Sequence, residues 1–379
     1  MFVSPDPELA ALRETVREFV DSFGVDYFRE RYRNREYPHE LYDAVVDRGW
    51  IGLTVPERYG GRGRSHRAAA VWLEPLGTYG YDFGMPALLS TSGAETVVRF
   101  GTDEQIERFV APALDGERRF SIGVTEPDTG SDAAALETRA ERDGETYVLS
   151  GSKTYQSAAK APGNTVILYA RTDADAPKRE GISAFLLPID AAGVELSPLD
   201  LVARRAAGTY DLELNDVRIP ASNRLGAAGD GWTIMNDHLR REHTYMAALM
   251  AGNARGAIEA TIDATTDRER FGRPVSEFQA IGHRIAELQT EVDAARLLVG
   301  RAAARLDAGT DSRQYAAQAK LYAGETLRRV GSEAVQLLGG AGLDPENDVE
   351  RYWREGASAT IAGGTSEIQR SVIAAAVLD

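Results

Sequence analysis

The chain has 379 residues, 43% of them hydrophobic, enough for two or three packed units and too much for one small core. Its 43 basic residues against 58 acidic ones leave a formal net charge of −15, which argues against a free nucleic-acid binder. The absence of cysteine excludes disulfides, thiolate metal sites, iron–sulfur clusters and cysteine nucleophiles, and the five histidines (His39, His66, His238, His243, His283) never stand at H-x-x-x-H spacing, so no metal is expected.

The start of the chain, residues 1–10, is acidic and proline-containing, with no basic stretch before an apolar one, so no secretory leader is expected. No apolar run approaches the roughly 18 residues of a membrane span, and a soluble cytoplasmic protein is the default expectation. The only lysines are Lys153, Lys160, Lys178 and Lys320; the other 39 basic residues are arginine, a bias shared by salt-loving microbes and GC-rich genomes. From 1 to about 119 the chain reads as helical: Leu9, Leu12, Val16, Phe19 and Val20 recur at helical spacing, and residues 41–50 and 68–76 are helix-like. The break at Pro56-Glu57-Arg58-Tyr59-Gly60-Gly61 is loop material.

From about 120 to 229 the texture is that of strands. Residues 139–149 contain Asp143-Gly144, a tight-turn pair, and residues 165–170, 182–187 and 210–219 continue the pattern. Strands at this spacing without intervening helices predict a small antiparallel β-domain rather than a dinucleotide-binding α/β fold. From 230 to 379 long helices rich in alanine and arginine return, suited to an antiparallel bundle. The fold class is therefore α+β in three domains: helical (1–119), β (120–229) and a helical bundle (230–379).

No G-x-G-x-x-G follows a strand and there is no Walker lysine; Gly60-Gly61-Arg62-Gly63 matches neither. Thr125-Glu126-Pro127-Asp128-Thr129-Gly130-Ser131-Asp132 reads, by itself, as a polar turn at the entry to the β-domain. It also resembles the first signature of the acyl-CoA dehydrogenase family. The second signature resembles Gln336-Leu337-Leu338-Gly339-Gly340-Ala341-Gly342 followed by Glu350-Arg351-Tyr352-Trp353-Arg354. Further pieces stand in the family's order: Gly52-Leu53-Thr54-Val55-Pro56-Glu57, Gly151-Ser152-Lys153-Thr154-Tyr155-Gln156-Ser157, Asp216-Val217-Arg218-Ile219-Pro220, Arg268-Glu269-Arg270-Phe271-Gly272 with Phe278-Gln279, and Gly364-Thr365-Ser366-Glu367-Ile368-Gln369-Arg370. The resemblance spans essentially the whole chain.

It implies an N-terminal helical domain, a middle β-domain and a C-terminal four-helix bundle, with FAD bound in extended form. It implies cofactor contacts from Thr125, Ser131, Tyr155, Ser157, Thr365 and Glu367. Arg268, Phe271, Gln279, Gln336, Gly339 and Gly340 then resemble the share given by a neighbouring subunit of a homotetramer. Ser366 and Gln369 stand at capping-box spacing, and a helix N-terminus suits a phosphate. Ser131, Arg241, His243 and Gly364 are the expected substrate contacts. The implied reaction is α,β-desaturation of an acyl-CoA thioester of fatty or branched-chain metabolism, with electrons passing to an electron-transfer flavoprotein.

The reaction needs a carboxylate whose affinity for protons is raised by burial. Many members of the family place it directly before the G-T of the C-terminal motif, where this chain has Gly363. The position used instead by isovaleryl-CoA and long-chain acyl-CoA dehydrogenases, counted back from Arg268, is Glu242. Glu242 also completes the 4-3-4-3 spacing of Met235, Leu239, Met246 and Leu249, where an apolar residue belongs. Taken alone, such a glutamate reads as the partner of Arg240, Arg241 or another helix. The residue after the base is often arginine in the family and is His243 here; Asp348 stands where proline is common. Other readings on this scaffold are a non-catalytic or half-site subunit of a hetero-oligomer, favoured by Gly363, and a flavin oxidase, monooxygenase or enoyl-CoA reductase. Acyl length and branching are not legible.

Overall fold

The computed structural model describes residues 6–378; the first five residues of the acidic start lie outside them. Asp6 opens the first helix by accepting the Glu8 amide at 3.1 Å, and Pro7 takes the next position, where no amide donor is needed. Helix α1 (Pro7–Asp21) turns Val16, Phe19 and Val20 inward. Helices α2 (Gly24–Asn34), α3 (His39–Asp47), α4 (His66–Leu76) and α5 (Tyr81–Phe100) follow. Helix α5 is buried from Tyr81 to Val97. Being buried on every side over that span, it carries no amphipathic stripe, and the sequence gives no periodic sign of it. A short α6 (Asp103–Gln105), a π-helical turn (Ile106–Val110) and α7 (Ala111–Leu114) lead to the sheet.

The strands are β1 (Arg119–Gly123), β2 (Arg139–Asp143), β3 (Thr146–Ser157), β4 (Asn164–Arg171), β5 (Ile182–Pro188), β6 (Val194–Pro198), β7 (Thr209–Pro220) and β8 (Arg224–Leu225). They order as β6-β7-β3-β2-β4-β5-β8, with β1 also beside β4. The turn read at Asp143-Gly144 closes the β2–β3 hairpin, with Asp143 opposite Thr146 and Gly144 at φ +60°. The sheet is mostly antiparallel, not wholly so: β1 runs parallel to β4, and β2 meets β4 parallel at Arg139 and Arg171. Strands β2 and β3 intervene between β1 and β4, the long connection that a parallel pair requires. Along β4 the side chains alternate. Val166, Leu168 and Ala170 join Leu212, Leu214, Val217 and Ile219 of β7, while Ile167 and Tyr169 face Ile234 and Met235 of the next helix.

That helix, α8 (Gly231–Asp267), has 37 residues and spans about 55 Å. A small hairpin, β9 (Glu269–Arg270) and β10 (Arg273–Pro274), turns the chain into α9 (Gln279–Asp307). Helices α10 (Arg313–Leu338), α11 (Val349–Ala359) and α12 (Ser366–Leu378) complete the bundle. Helix α8 packs against α4, α5, α9 and α10. Glycines permit the closest approach, because a Cβ on Gly252 would lie 1.8 Å from the Glu74 carbonyl oxygen of α4.

Candidate active site

Glu242 lies on the inward face of α8, 4% exposed, with Met235, Met246 and Leu249 buried on the same stripe. The neighbouring arginines do not take it. Arg240 and Arg241 both bind Asp237, and Arg241 also faces Glu95 of α5 at 3.2 Å and donates to Thr96 at 3.1 Å. Arg241, expected at the substrate, is thus locked into an ion cluster between α5 and α8, and the structure does not bring it to Glu242.

What faces Glu242 is His238, one turn back: its Nε2 lies 3.2 Å from Glu242 Oε2. The contact lies off the line of an aligned hydrogen bond, and neither atom has another partner. Arg204 and Lys320 add their charges around the carboxylate, and His243 stands next to it on the helix. Burial pushes the Glu242 carboxyl up. The His238 contact, with the charges of His238 and Arg204, outweighs burial and holds it below the ordinary glutamate value. The expectation of a raised affinity for protons is thereby corrected: the isolated chain keeps this carboxylate ionised. Burial acts the other way on His243, pushing its ring down to about 4 against the pull of Glu242, so the imidazole is neutral near pH 7.

The C-terminal motif closes over the same spot. Gly363 and Gly364 have φ of +64° and +81°, a backbone that disfavours any side chain. A Cβ at Gly363 would also meet Met246 Cε at 2.9 Å, one turn along from Glu242. Lys320 donates to the Gly364 carbonyl at 2.6 Å and fixes the turn; burial pushes its ammonium down to about 8. The cap of α12 is Thr365 rather than Ser366: Thr365 Oγ1 accepts the Ile368 amide at 3.3 Å, and the Gln369 amide group reaches back to the Gly363 and Gly364 carbonyls. Thr365 and Glu367 line a cavity of about 670 Å³ with Arg328 and Arg329.

On the sheet, the Thr154 amide donates to the Thr125 carbonyl at 2.9 Å and sets the first signature beside β3. A buried ion pair locks this arrangement. Lys153 Nζ donates to Glu126 Oε1 at 2.8 Å and to the Val124 carbonyl, while Glu126 accepts the Glu137 and Thr138 amides. Tyr155 then stands at φ +57°, 59% exposed on the open side. Ser157 accepts Arg204 Nη2 at 2.8 Å, which leaves its own proton free to donate. Ser131 is exposed in the first-signature loop. Arg204, at φ +60°, is held by its amide to Glu355 Oε1 at 2.8 Å; the next residues, Ala206 and Ala207, donate their amides to Asp82.

The remaining expected residues gather elsewhere. Arg268 donates to the Leu338 carbonyl at 2.8 Å, next to Gly339 and Gly340, and Phe271 packs its ring 6.2 Å from Phe278, beside Gln279. Gln336 is in the last turn of α10. Phe271 is 97% exposed, and a Cβ on Gly339 or Gly340 would meet nothing within 4 Å. This cluster lies beyond the C-terminal end of α8 and Glu242 in its first third, about 38 Å apart by helical rise. Sequence reasoning missed His238, Arg204, Lys320 and Thr96. His238 was detectable, being four residues from Glu242 on the same helical face; Arg204 reaches the site from a loop and carries no such signal.

Sequence models of the acyl-CoA dehydrogenase N-terminal, middle and C-terminal domains match residues 6–117, 121–217 and 229–378. A probable acyl-CoA dehydrogenase of Bacillus subtilis is 34% identical over 98% of this chain and 98% of that protein. The caffeyl-CoA reductase-Etf complex subunit CarC of Acetobacterium woodii is 31% identical over 97% of each. The butyryl-CoA dehydrogenase structure of Megasphaera elsdenii is similar with a TM-score of 0.94 and 30% identity, over 98% of each chain. The chain belongs to the acyl-CoA dehydrogenase family. It is a flavoprotein oxidoreductase acting on CH–CH bonds, with FAD as its cofactor. The residues fit that group: hydroxyls at Thr125 and Ser157 beside the exposed Tyr155 ring suit a flavin edge, and the N-terminus of α12, with Arg328 and Arg329 near it, suits a phosphate. Among the described residues no helix is long and apolar enough to cross a membrane, and no cluster of His, Asp and Glu could hold a metal.

Proposed function

We propose that the protein desaturates an acyl-CoA thioester at its α,β bond, with Glu242 as the base that takes the α-proton. One observation carries this: a buried carboxylate, free of its arginine neighbours, lies one turn from Met246, the side chain that fills the space beside Gly363. Of the two carboxylate oxygens Oε2 is sealed and faces His238, while Oε1 is not sealed and is the atom open to substrate. The Gly363 and Gly364 amides make no hydrogen bond within the described residues and are available to the thioester oxygen as negative charge develops on it. Lys320 steadies the turn that presents them. FAD, when bound, supplies the acceptor for the β-hydride. Thr125, Tyr155 and Ser157 would hold its ring, and Ser131, His243 and Gly364 would line the path of the thioester.

An electron-transfer flavoprotein is the proposed acceptor, supported by the Etf-complex relative. The cluster of Arg268, Phe271, Gln279, Gln336, Gly339 and Gly340 is too far along α8 to meet the same flavin as Tyr155, so a second copy of the chain would supply it, in a dimer or dimer of dimers. The same relative, a reductase, favours one second reading: operation in the saturating direction on an enoyl thioester.

The test is anaerobic titration of the holoenzyme with a panel of acyl-CoAs while flavin absorbance is followed. One class of thioester is expected to bleach the wild-type flavin. Glu242→Gln should keep its FAD and lose reduction by roughly 10²–10⁴-fold. Bleaching at an undiminished rate would remove Glu242 as the base.

A further inference from the structure

Glu242 is not a solitary carboxylate; it forms one unit with His238, and the hydrogen bonds behind His238 fix how. His238 Nδ1 lies 2.7 Å from Thr96 Oγ1 of α5. The Thr96 hydroxyl has one proton, and it also lies 2.7 Å from the Ser92 carbonyl, which can only accept. The proton goes to Ser92, and the lone pairs of Thr96 accept Arg241 Nη2 and the Nδ1–H of His238. His238 therefore carries a proton on Nδ1, and its other nitrogen, Nε2, faces Glu242 Oε2 at 3.2 Å. Both facing atoms are closed to solvent and have no other partner. A bare nitrogen lone pair beside a bare carboxylate oxygen would repel; a proton on Nε2 turns the contact into an attraction between opposite charges.

We propose that His238 is a positioning residue for Glu242: it holds a proton on the nitrogen that faces Oε2, which keeps the carboxylate ionised and turns Oε1 toward the substrate. This rests on Glu242 being the base. In the step itself the α-carbon–hydrogen bond breaks and its proton forms a bond to Oε1. The electron pair left behind builds the α,β double bond as the β-hydrogen departs as hydride, for which bound FAD would supply the acceptor. The proton on His238 Nε2 stays there throughout, so nothing else is consumed.

The other charges around the pair are already committed. On α8, Asp237 is bound by Arg240 and Arg241, and on α5 Glu95 accepts the Tyr245 hydroxyl and faces Arg241. From the loop before β7, Arg204 donates to Ser157 and is tied to Glu355 beside Asp82; from α10, Lys320 donates to Gly364. From β4, burial and the Glu242 charge push Tyr169 far up, so it stays a neutral phenol. His243, the next residue on α8, points about 100° around the helix, and its ring is neutral near pH 7. Among the described residues only His238 both touches Glu242 and lacks a competing acceptor for its Nε2 proton.

The experiment compares wild type, His238→Leu, His238→Gln and Glu242→Gln as holoenzymes, each first checked for FAD content and melting temperature. Reduction of the bound flavin by butyryl-CoA, isovaleryl-CoA and octanoyl-CoA is timed between about pH 5.5 and pH 9. His238→Leu should slow reduction at every pH. Its acid limb should move up by about one pH unit or more, because the carboxylate has lost the partner that kept it ionised. His238→Gln, which can still donate to Oε2 but carries no charge, should recover part of that displacement; it decides the matter if the leucine variant loses FAD. An acid limb in both His238 variants that overlays the wild type, while Glu242→Gln is inactive, overturns the role of His238 and leaves the base in place. A Glu242→Gln enzyme that still reduces its flavin overturns both.

Discussion

Asp237 and Glu242 stand five residues apart on α8 and meet opposite fates. Asp237 gathers Arg99, Arg240 and Arg241. Burial pushes its carboxyl up, but Arg241, Arg99 and Arg240 prevail and hold it at about 2. Because that lies below the unfolded value of 3.8, the cluster adds stability that is complete above pH 3.8 and is lost as the pH falls toward 2. Allowing for solvent screening, this amounts to about 1–2 kcal/mol. Chemical denaturation at pH 6 and pH 3 should show the loss in wild type and a flatter dependence in Asp237→Asn. At pH 6 the variant should be weaker by of order 3 kcal/mol, since Arg241 remains buried with only Glu95 to face. Glu242, by contrast, forms no ion pair with an arginine: it touches His238, and Arg204 acts on it only through its charge.

The α4–α8 crossing shows how an element is placed by what it lacks. Gly77 at the end of α4 and Gly252 and Gly256 on α8 let the two backbones touch: added Cβ atoms would fall 1.8–2.0 Å from the carbonyl oxygens of Glu74, Thr78 and Leu249. No rotamer change relieves a clash with backbone. Gly252→Ala should therefore destabilise by about 3 kcal/mol or more, read as a drop in melting temperature, and should loosen the helix that carries Glu242. Gly300 on α9 is the control, exposed and with nothing within 4 Å of an added Cβ. Gly300→Ala should be stabilising by about 0.5–1 kcal/mol, because alanine loses less backbone freedom in a helix.

Over the whole molecule, the loop before β7 ties three regions together. Asp82 of α5 accepts the Ala206 and Ala207 amides, and Glu355 of α11 accepts the Arg204 amide and the Tyr32 hydroxyl of α2. This tie aims Arg204 at Ser157 and Glu242 from outside the bundle. At the far end of α8 the exposed Phe271 and the open Gly339-Gly340 turn face outward. The second copy of the chain proposed above would cover this ring and this turn. If a second copy completes the flavin site, Arg268→Ala should fold with an unchanged melting curve for the FAD-free protein and yet retain much less FAD after gel filtration, roughly tenfold weaker in affinity. Equal retention in the variant would place the flavin within one chain.

The sequence by itself determined the helix–sheet–helix order, the β2–β3 turn at Asp143-Gly144 and the inward placement of Glu242, because periodicity and turn chemistry are local properties. The glycine at 363 was legible too, and with it the lack of a carboxylate at that turn. Helix α5 was not, since an element buried on every side has no stripe to read; nor were the parallel pairing of β1 with β4 or the reach of Arg204, which join residues far apart in the chain. The direction of the proton affinity of Glu242 was misread for the same reason. Burial is visible in an apolar pattern, but whether a charge stands beside a buried carboxylate is decided by which side chains the tertiary structure packs against it. Here His238, oriented by Thr96 from another helix, and Arg204, carried in by a loop, reverse what burial alone would do.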